Sequence, residues 1–244
     1  MNNIFYKTDE ISKFFNHNRI KWDQFYESEK KIINGLNIDS SETVLDIGCA
    51  CGGLGLALEE KFNITRYSGI EINNKAAEFA KKINPRAKIY CGDLLDLSQG
   101  EIMGNLYNIV FSLSCVDWNT QFTESLEAAW RHVIPGGNLV VTFRLTNELG
   151  VNDINKSFQY INYSGKLEGE VAAYVVLNFK ELIVELEKFN PETINAFGYW
   201  GLPSETAITP LDKICFAAFS IRKKELISDR QTNYKFDLPE EFKL

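Results

Sequence analysis

With 244 residues, 45% of them apolar, the chain is long enough for one large domain with a substantial buried core. Its 33 acidic against 26 basic side chains give a net charge of −7, a field that repels phosphate backbones and anionic lipid and so argues against a nucleic-acid or membrane partner. An odd set of five cysteines, scattered at 49, 51, 91, 115 and 215, argues against a disulfide scaffold. With no signal-type or membrane-spanning apolar run, the expectation is a reduced, cytoplasmic protein.

The elements follow in chain order. Residues 9–34 read as one or two amphipathic helices, with Ile11, Phe14, Phe15, Trp22, Phe25, Tyr26 and Ile33 on the apolar side and Ser28 as a cap for the second. Short β-rich runs come next at 43–47, 66–72, 87–91, 107–114 and 138–145, most of them separated by helical patterns. Asn74 is the expected cap of "KAAEFAKKI", and Phe122, Leu126, Trp130 and Val133 keep helical spacing until Pro135-Gly136-Gly137. Strands alternating with helices imply βαβ units and a mainly parallel, doubly wound sheet covered on both faces. Residues 146–168 are polar and irregular, and Asn178 with Glu181 makes a capping box for a helix over 179–188. "INAFGYWG" and "KICFAAFSI", with no helix between them, should pair antiparallel, and the charged tail from Lys223 reads as loosely ordered.

The chemistry starts at "VLDIGCACGGLG", residues 44–55, where the first strand runs into a glycine cluster that opens a helix. In a doubly wound sheet, ligands bind beyond the carboxyl ends of such strands. Asp46, just before the loop, would repel a pyrophosphate but attract an ammonium, and Ala50 puts a methyl group where a dinucleotide fold needs bare backbone. Glu71 ends the second strand 25 residues later, where a carboxylate can accept from both hydroxyls of a ribose. Asp93 follows the third strand in "YCGDLLDL", placed to accept from an exocyclic amine while the adjacent leucines flank a purine.

Over residues 40–145 the sequence resembles the class I S-adenosylmethionine-dependent methyltransferases. "VLDIGCACGG" looks like their first motif, with Asp46, Gly48, Ala50 and Gly52 in register. "GIEIN" is similar to their ribose-binding acid, "GDLLDL" to their adenine-binding acid, and "VIPGGNLVV" to the turn before their fifth strand. The departure is Ala50, where that family usually has glycine. The resemblance implies S-adenosyl-L-methionine as cofactor and S-adenosyl-L-homocysteine as product. It implies a binding set of Asp46, Gly48, Cys49, Ala50, Gly52, Glu71, Ile72, Asp93, Leu94, Ser112 and Ser114. Cys49 and Cys51 then read as small side chains packed beneath the cofactor. With only His17 and His132 in the chain, a structural metal site is not expected.

In the resembled family the segment after the fourth strand borders the acceptor, which puts Asp117 and Trp118 of "SLSCVDWNT" near the chemistry. Asp117 is the candidate base or substrate anchor, with a helix-cap role as the plainer reading. The Asn/Asp-Pro-Pro-Tyr motif of amide methylases is absent, and so is the acidic second cluster of magnesium-dependent O-methyltransferases. Substrate walls are expected from the segments outside the shared core: Arg19, Trp22, Tyr26 and Glu29, then Tyr160, Tyr163 and Tyr174, and Trp200. The reading is an α/β protein with a seven-stranded, mainly parallel sheet ending in an antiparallel hairpin. Residues 1–38 form a helical lid, 39–222 the methyltransferase domain with an insertion at about 146–178, and 223–244 a polar tail. Acting as monomer or homodimer, it would methylate an O or N atom of a small polar molecule such as a sugar or nucleotide-linked sugar. An NAD-dependent oxidoreductase and a catalytically silent binding protein of the same fold stay as the alternatives.

Overall fold

The computed structural model describes residues 10–162, 164–225 and 231–243; Tyr163 lies outside them. Helices α1 (Glu10–Phe15) and α2 (Glu27–Asn34) flank a single 3₁₀ turn at Trp22–Gln24. The alternating part runs β1 (Thr43–Ile47), α3 (Gly53–Phe62), β2 (Arg66–Glu71), α4 (Asn74–Ile83), β3 (Lys88–Cys91), α5 (Leu94–Leu97), β4 (Tyr107–Ser112), α6 (Phe122–Arg131) and β5 (Val133–Thr146). Then come β6 (Phe158–Tyr160), β7 (Val171–Ala173), β8 (Leu177–Asn178), α7 (Phe179–Glu187), β9 (Thr193–Gly201), β10 (Ala207–Ile208), β11 (Ile214–Arg222) and β12 (Asn233–Asp237).

The main sheet has the order β12-β9-β11-β5-β4-β1-β2-β3, with β8 beside the end of β5. β11 is antiparallel to both β5 and β9, the hairpin expected from the sequence, and the other pairings are parallel. Strand alternation splits the core into two layers. Leu45, Val110, Leu139 and Val141 face the layer that holds Leu126 of α6 and Leu182 of α7. Val44, Ile109, Phe111 and Val140 face the layer that holds Ile33 of α2 and Leu54 and Leu58 of α3. Buried on both faces, β1, β4 and β5 read as apolar runs rather than as alternating patterns.

Nine strands, rather than seven, form this sheet among the described residues. One addition, β12, lies in the tail expected to be loosely ordered: Tyr234 and Phe236, two residues apart, turn the same face onto the core beside Phe179. Lys31 of α2 then pairs with Asp237 of β12 at 2.7 Å. β5 also starts earlier than expected and takes in Val133 and the Pro-Gly-Gly turn, with a register shift against β4 between Tyr107 and Ile109. Gly137 is needed there, because a Cβ would stand 2.6 Å from the Asn108 carbonyl oxygen.

Two caps move by one or two residues. Asn73, not Asn74, accepts from the Ala76 N–H at the start of α4. Tyr26, not Ser28, is the cap of α2, its N–H donating to Glu29 Oε2 at 2.9 Å. Asn178 accepts from the Lys180 and Glu181 N–H groups, as its spacing predicts. Residues 146–178 contribute β6 and β7 to a separate three-stranded antiparallel sheet, β10-β6-β7, whose third strand comes from farther along the chain. No described helix is long and apolar enough to cross a membrane.

Candidate functional site

The order of the chain reverses between β1 and β4, and a cavity of about 170 Å³ opens beyond the carboxyl ends of β1 to β4. The glycine loop forms its floor. Gly48 has φ +72°, and a Cβ there would meet Cys115 Sγ at 2.5 Å, so neither a side chain nor another backbone fits. Gly52, at φ +76°, caps α3 and packs on Ala80 without lining the cavity. Ala50 also sits in left-handed backbone, at φ +47°, and its N–H donates to Glu71 Oε2 at 2.7 Å. Glu71 Oε1 accepts from the Asn73 N–H at the same distance. The acid at the end of β2 therefore holds two loops at once, with lone pairs left on both oxygens.

Asp46 is buried and accepts a 2.6 Å hydrogen bond from the Tyr67 hydroxyl. Burial lifts its pKa to about 7, against the pull of that hydrogen bond and of Arg19. Burial also raises Glu71, partly offset by its backbone hydrogen bonds. Two desolvated carboxylates in one cavity suit a ligand that brings an ammonium and hydroxyl donors, and they do not suit a pyrophosphate. Asp93 caps α5 through the Leu95 N–H and lines the same cavity with Leu94, Ile72, Ser112 and Ser114. Cys49 and Cys51 are buried thiols, both pushed up by burial, Cys51 to about 11 and Cys49 well above the ordinary thiol value, so both act as packing. Among the described residues no group of three or more His, Cys, Asp or Glu is placed to hold a metal ion.

A second, larger cavity of about 420 Å³ adjoins the first, and Phe15, Asn18, Arg19, Ser114 and Trp118 line both. Tyr26, Tyr160 and Tyr174 line this chamber. Asp117 lines it too, but as a buried ion-pair partner, Oδ2 lying 3.2 Å from Arg144 Nε. Burial raises its pKa and the guanidinium opposes the shift. Arg144 also donates to the carbonyls of Asp117 at 3.1 Å and Val175 at 3.5 Å, and stacks over Trp118 and Tyr174. Glu29 is buried beneath the chamber, accepting from Arg19 Nη2 at 2.8 Å.

Two expected wall residues lie elsewhere. Trp22 stacks on Phe25 and meets Phe62 edge-on, packing the 3₁₀ turn onto α3. Trp200 points to the opposite face of β9, where Phe242 covers it and its Nε1–H donates to Glu241. Sequence reasoning passed over Arg144 and Gln159, which also line the larger chamber. A charge inside the apolar run "VVTFRLT" was the available signal for Arg144; Gln159 had none.

The segment ahead of α2 packs tightly on the loop. A Cβ on Gly53 would stand 2.1 Å from the Arg19 carbonyl oxygen, and Arg19 holds φ +60° to make the approach. Gly53→Ala is expected to leave the sheet intact and lift residues 10–25 off the loop. Limited proteolysis checks it: cleavage should move into that segment, and an unchanged pattern would contradict this packing.

Residues 44–137 match the methyltransferase-domain family. The malonyl-[acyl-carrier protein] O-methyltransferase of Priestia megaterium is 24% identical over 139 residues, 53% of this chain and 49% of that one. The chain spans about half the length of the curated relatives it matches. TehB from Haemophilus influenzae superposes with a TM-score of 0.56 at 14% identity, covering 88% of this chain and 66% of its own. A Thermotoga maritima methyltransferase, titled a possible histamine N-methyltransferase, gives 0.53 at 17% identity, covering 89% and 100%. These likenesses show the fold. Residues 44–137 are thus similar to a methyltransferase domain, set within the larger fold described above.

Proposed function

We propose that the chain moves a methyl group from S-adenosyl-L-methionine to an O or N atom of a small polar molecule such as a sugar or nucleotide-linked sugar. The observation that carries this reading is the junction of the two chambers at Phe15, Asn18, Arg19, Ser114 and Trp118. When bound, the cofactor supplies a methyl group already activated by a sulfonium. The residues do the rest. Asp46 pairs with the ammonium, Glu71 accepts from the ribose hydroxyls, Asp93 accepts from the exocyclic amine and Leu94 lies against the ring. The junction then aligns acceptor and methyl carbon, an effect worth roughly 7–11 kcal/mol in well-oriented systems. The adjoining chamber supports catalysis over a silent binding role.

Calorimetric titration with S-adenosylhomocysteine and NAD tests the reading. Binding of the former alone is expected, and binding of NAD alone would overturn it. The pH dependence adds a second check. Asp46 has its folded pKa raised from 3.8 to about 7, so the fold holds a proton there that the unfolded chain has lost. Its contribution to stability without ligand therefore falls as pH rises through that window. Affinity for S-adenosylhomocysteine should move the opposite way, tightening toward pH 8 as the ionised form becomes available. Asp46→Asn should remove both trends.

A further inference from the structure

Resting on the methyltransferase reading, we propose that the acceptor is a neutral polyhydroxylated molecule, methylated on oxygen, whose hydroxyl groups donate to Asp117 Oδ1 and Gln159 Oε1 in the larger chamber. These two oxygens accept no hydrogen bond, although both are shielded from solvent, and both residues line that chamber. Asp117 stands on a 3₁₀ turn, Val116–Trp118, that follows β4, and Gln159 stands on β6 of the three-stranded sheet. Gln159 is fixed through its other end, Nε2 donating to Thr206 Oγ1 at 3.0 Å. A carboxylate oxygen can only accept, so what is wanted there is a donor. A buried acceptor left unpaired is costly, and a ligand that supplies O–H groups relieves that cost at both places.

The charges favour hydroxyl over amine or acid. Two guanidinium groups already line the chamber and occupy aromatic faces, Arg144 at 3.8 Å from the Tyr174 ring centre and 4.3 Å from that of Trp118, and Arg19 at 5.2 Å from that of Tyr26. An ammonium would meet like charge where it seeks a ring face. A second carboxylate would meet Asp117, while the contacts of Arg144 and Arg19 go to Asp117, Glu29 and two carbonyls. A neutral polyol meets neither obstacle, and the tyrosine and tryptophan walls suit the apolar faces of a sugar ring. In the reaction the acceptor oxygen bonds to the methyl carbon as the carbon–sulfur bond breaks. That electron pair stays on sulfur, giving the neutral thioether, and the hydroxyl proton passes to Asp117 Oδ1.

The test uses the full chain with methyl glycosides, primary amines and monocarboxylates, following S-adenosylhomocysteine release and the mass of the product. Turnover of a glycoside to an O-methyl product is expected. Gln159→Leu should raise KM for it about tenfold with little change in kcat, and Asp117→Asn should lower kcat about a hundredfold. In both variants S-adenosylhomocysteine affinity should stay as in the parent, which also reports that they are folded. Turnover of only amines or carboxylates, or no glycoside binding while S-adenosylhomocysteine binds, overturns the proposal and leaves the methyltransferase reading standing. Failure to bind S-adenosylhomocysteine overturns that reading itself.

Discussion

Glu71→Ala is expected to weaken S-adenosylhomocysteine binding by at least about 100-fold, or about 2.7 kcal/mol. The acid has two jobs that fail together. Its oxygens are the acceptors for the Ala50 and Asn73 N–H groups, which hold the glycine loop and the start of α4 in place. Hydrogen bonds to an ionised group are worth about 1.5–3 kcal/mol each, and the alanine variant loses both. Ala50 has further reason to leave, since its left-handed backbone is unfavourable without that grip. Glu71→Gln separates the two jobs: its amide nitrogen faces a backbone donor, so one loop contact is lost while the side chain keeps its volume. Calorimetry on both variants checks the expectation, with the glutamine variant intermediate. Parental affinity in the alanine variant would remove Glu71 from the binding set.

Arg144→Met should destabilise the protein by about 3–5 kcal/mol, the usual consequence of stripping one partner from a buried ion pair. Asp117 would keep its burial and lose its cation, while the Asp117 and Val175 carbonyls would lose a donor. The deficit should shrink in acid. Asp117 has its folded pKa raised above the ordinary value, and removing Arg144 raises it further. Protonation then neutralises the orphan, so the variant recovers relative stability as pH falls and loses it as pH rises. Adding Asp117→Leu to Arg144→Met should restore most of the unfolding free energy, because the two residues share one contact. Denaturant unfolding across pH decides it, and a pH-independent deficit would mean that packing against Trp118 and Tyr174 is the larger loss.

How much of this was legible depends on how local the cause is. The strands of the alternating half, the hairpin of β9 and β11 and the Asn178 cap follow from short-range patterns, and so they read correctly. The loop acids could be brought to one cavity from sequence alone, because each ends a strand and the strand order gathers those ends. The tail strand β12 was missed because Tyr234 and Phe236 are diluted by charged neighbours, and its partner β9 lies 32 or more residues earlier. Trp22 and Trp200 were misplaced for a different reason: composition marks an aromatic as a wall candidate, but only the facing element decides between core and cavity. Gln159 was invisible because its meaning comes from the three-stranded sheet meeting the core, a contact with no local signature.

On the proposed function, the junction between the chambers has a consequence for how the acceptor could be changed. Apart from Ser114, Asp117 and Trp118, the wall of the larger chamber comes from outside the matched segment 44–137. Exchanging Gln159, Tyr160 or Phe216 would therefore redraw one partner's shape and leave the grip on the other untouched. Five shared residues set the limit of that independence, so the donor half and the acceptor half can be re-engineered as two modules joined by a single seam.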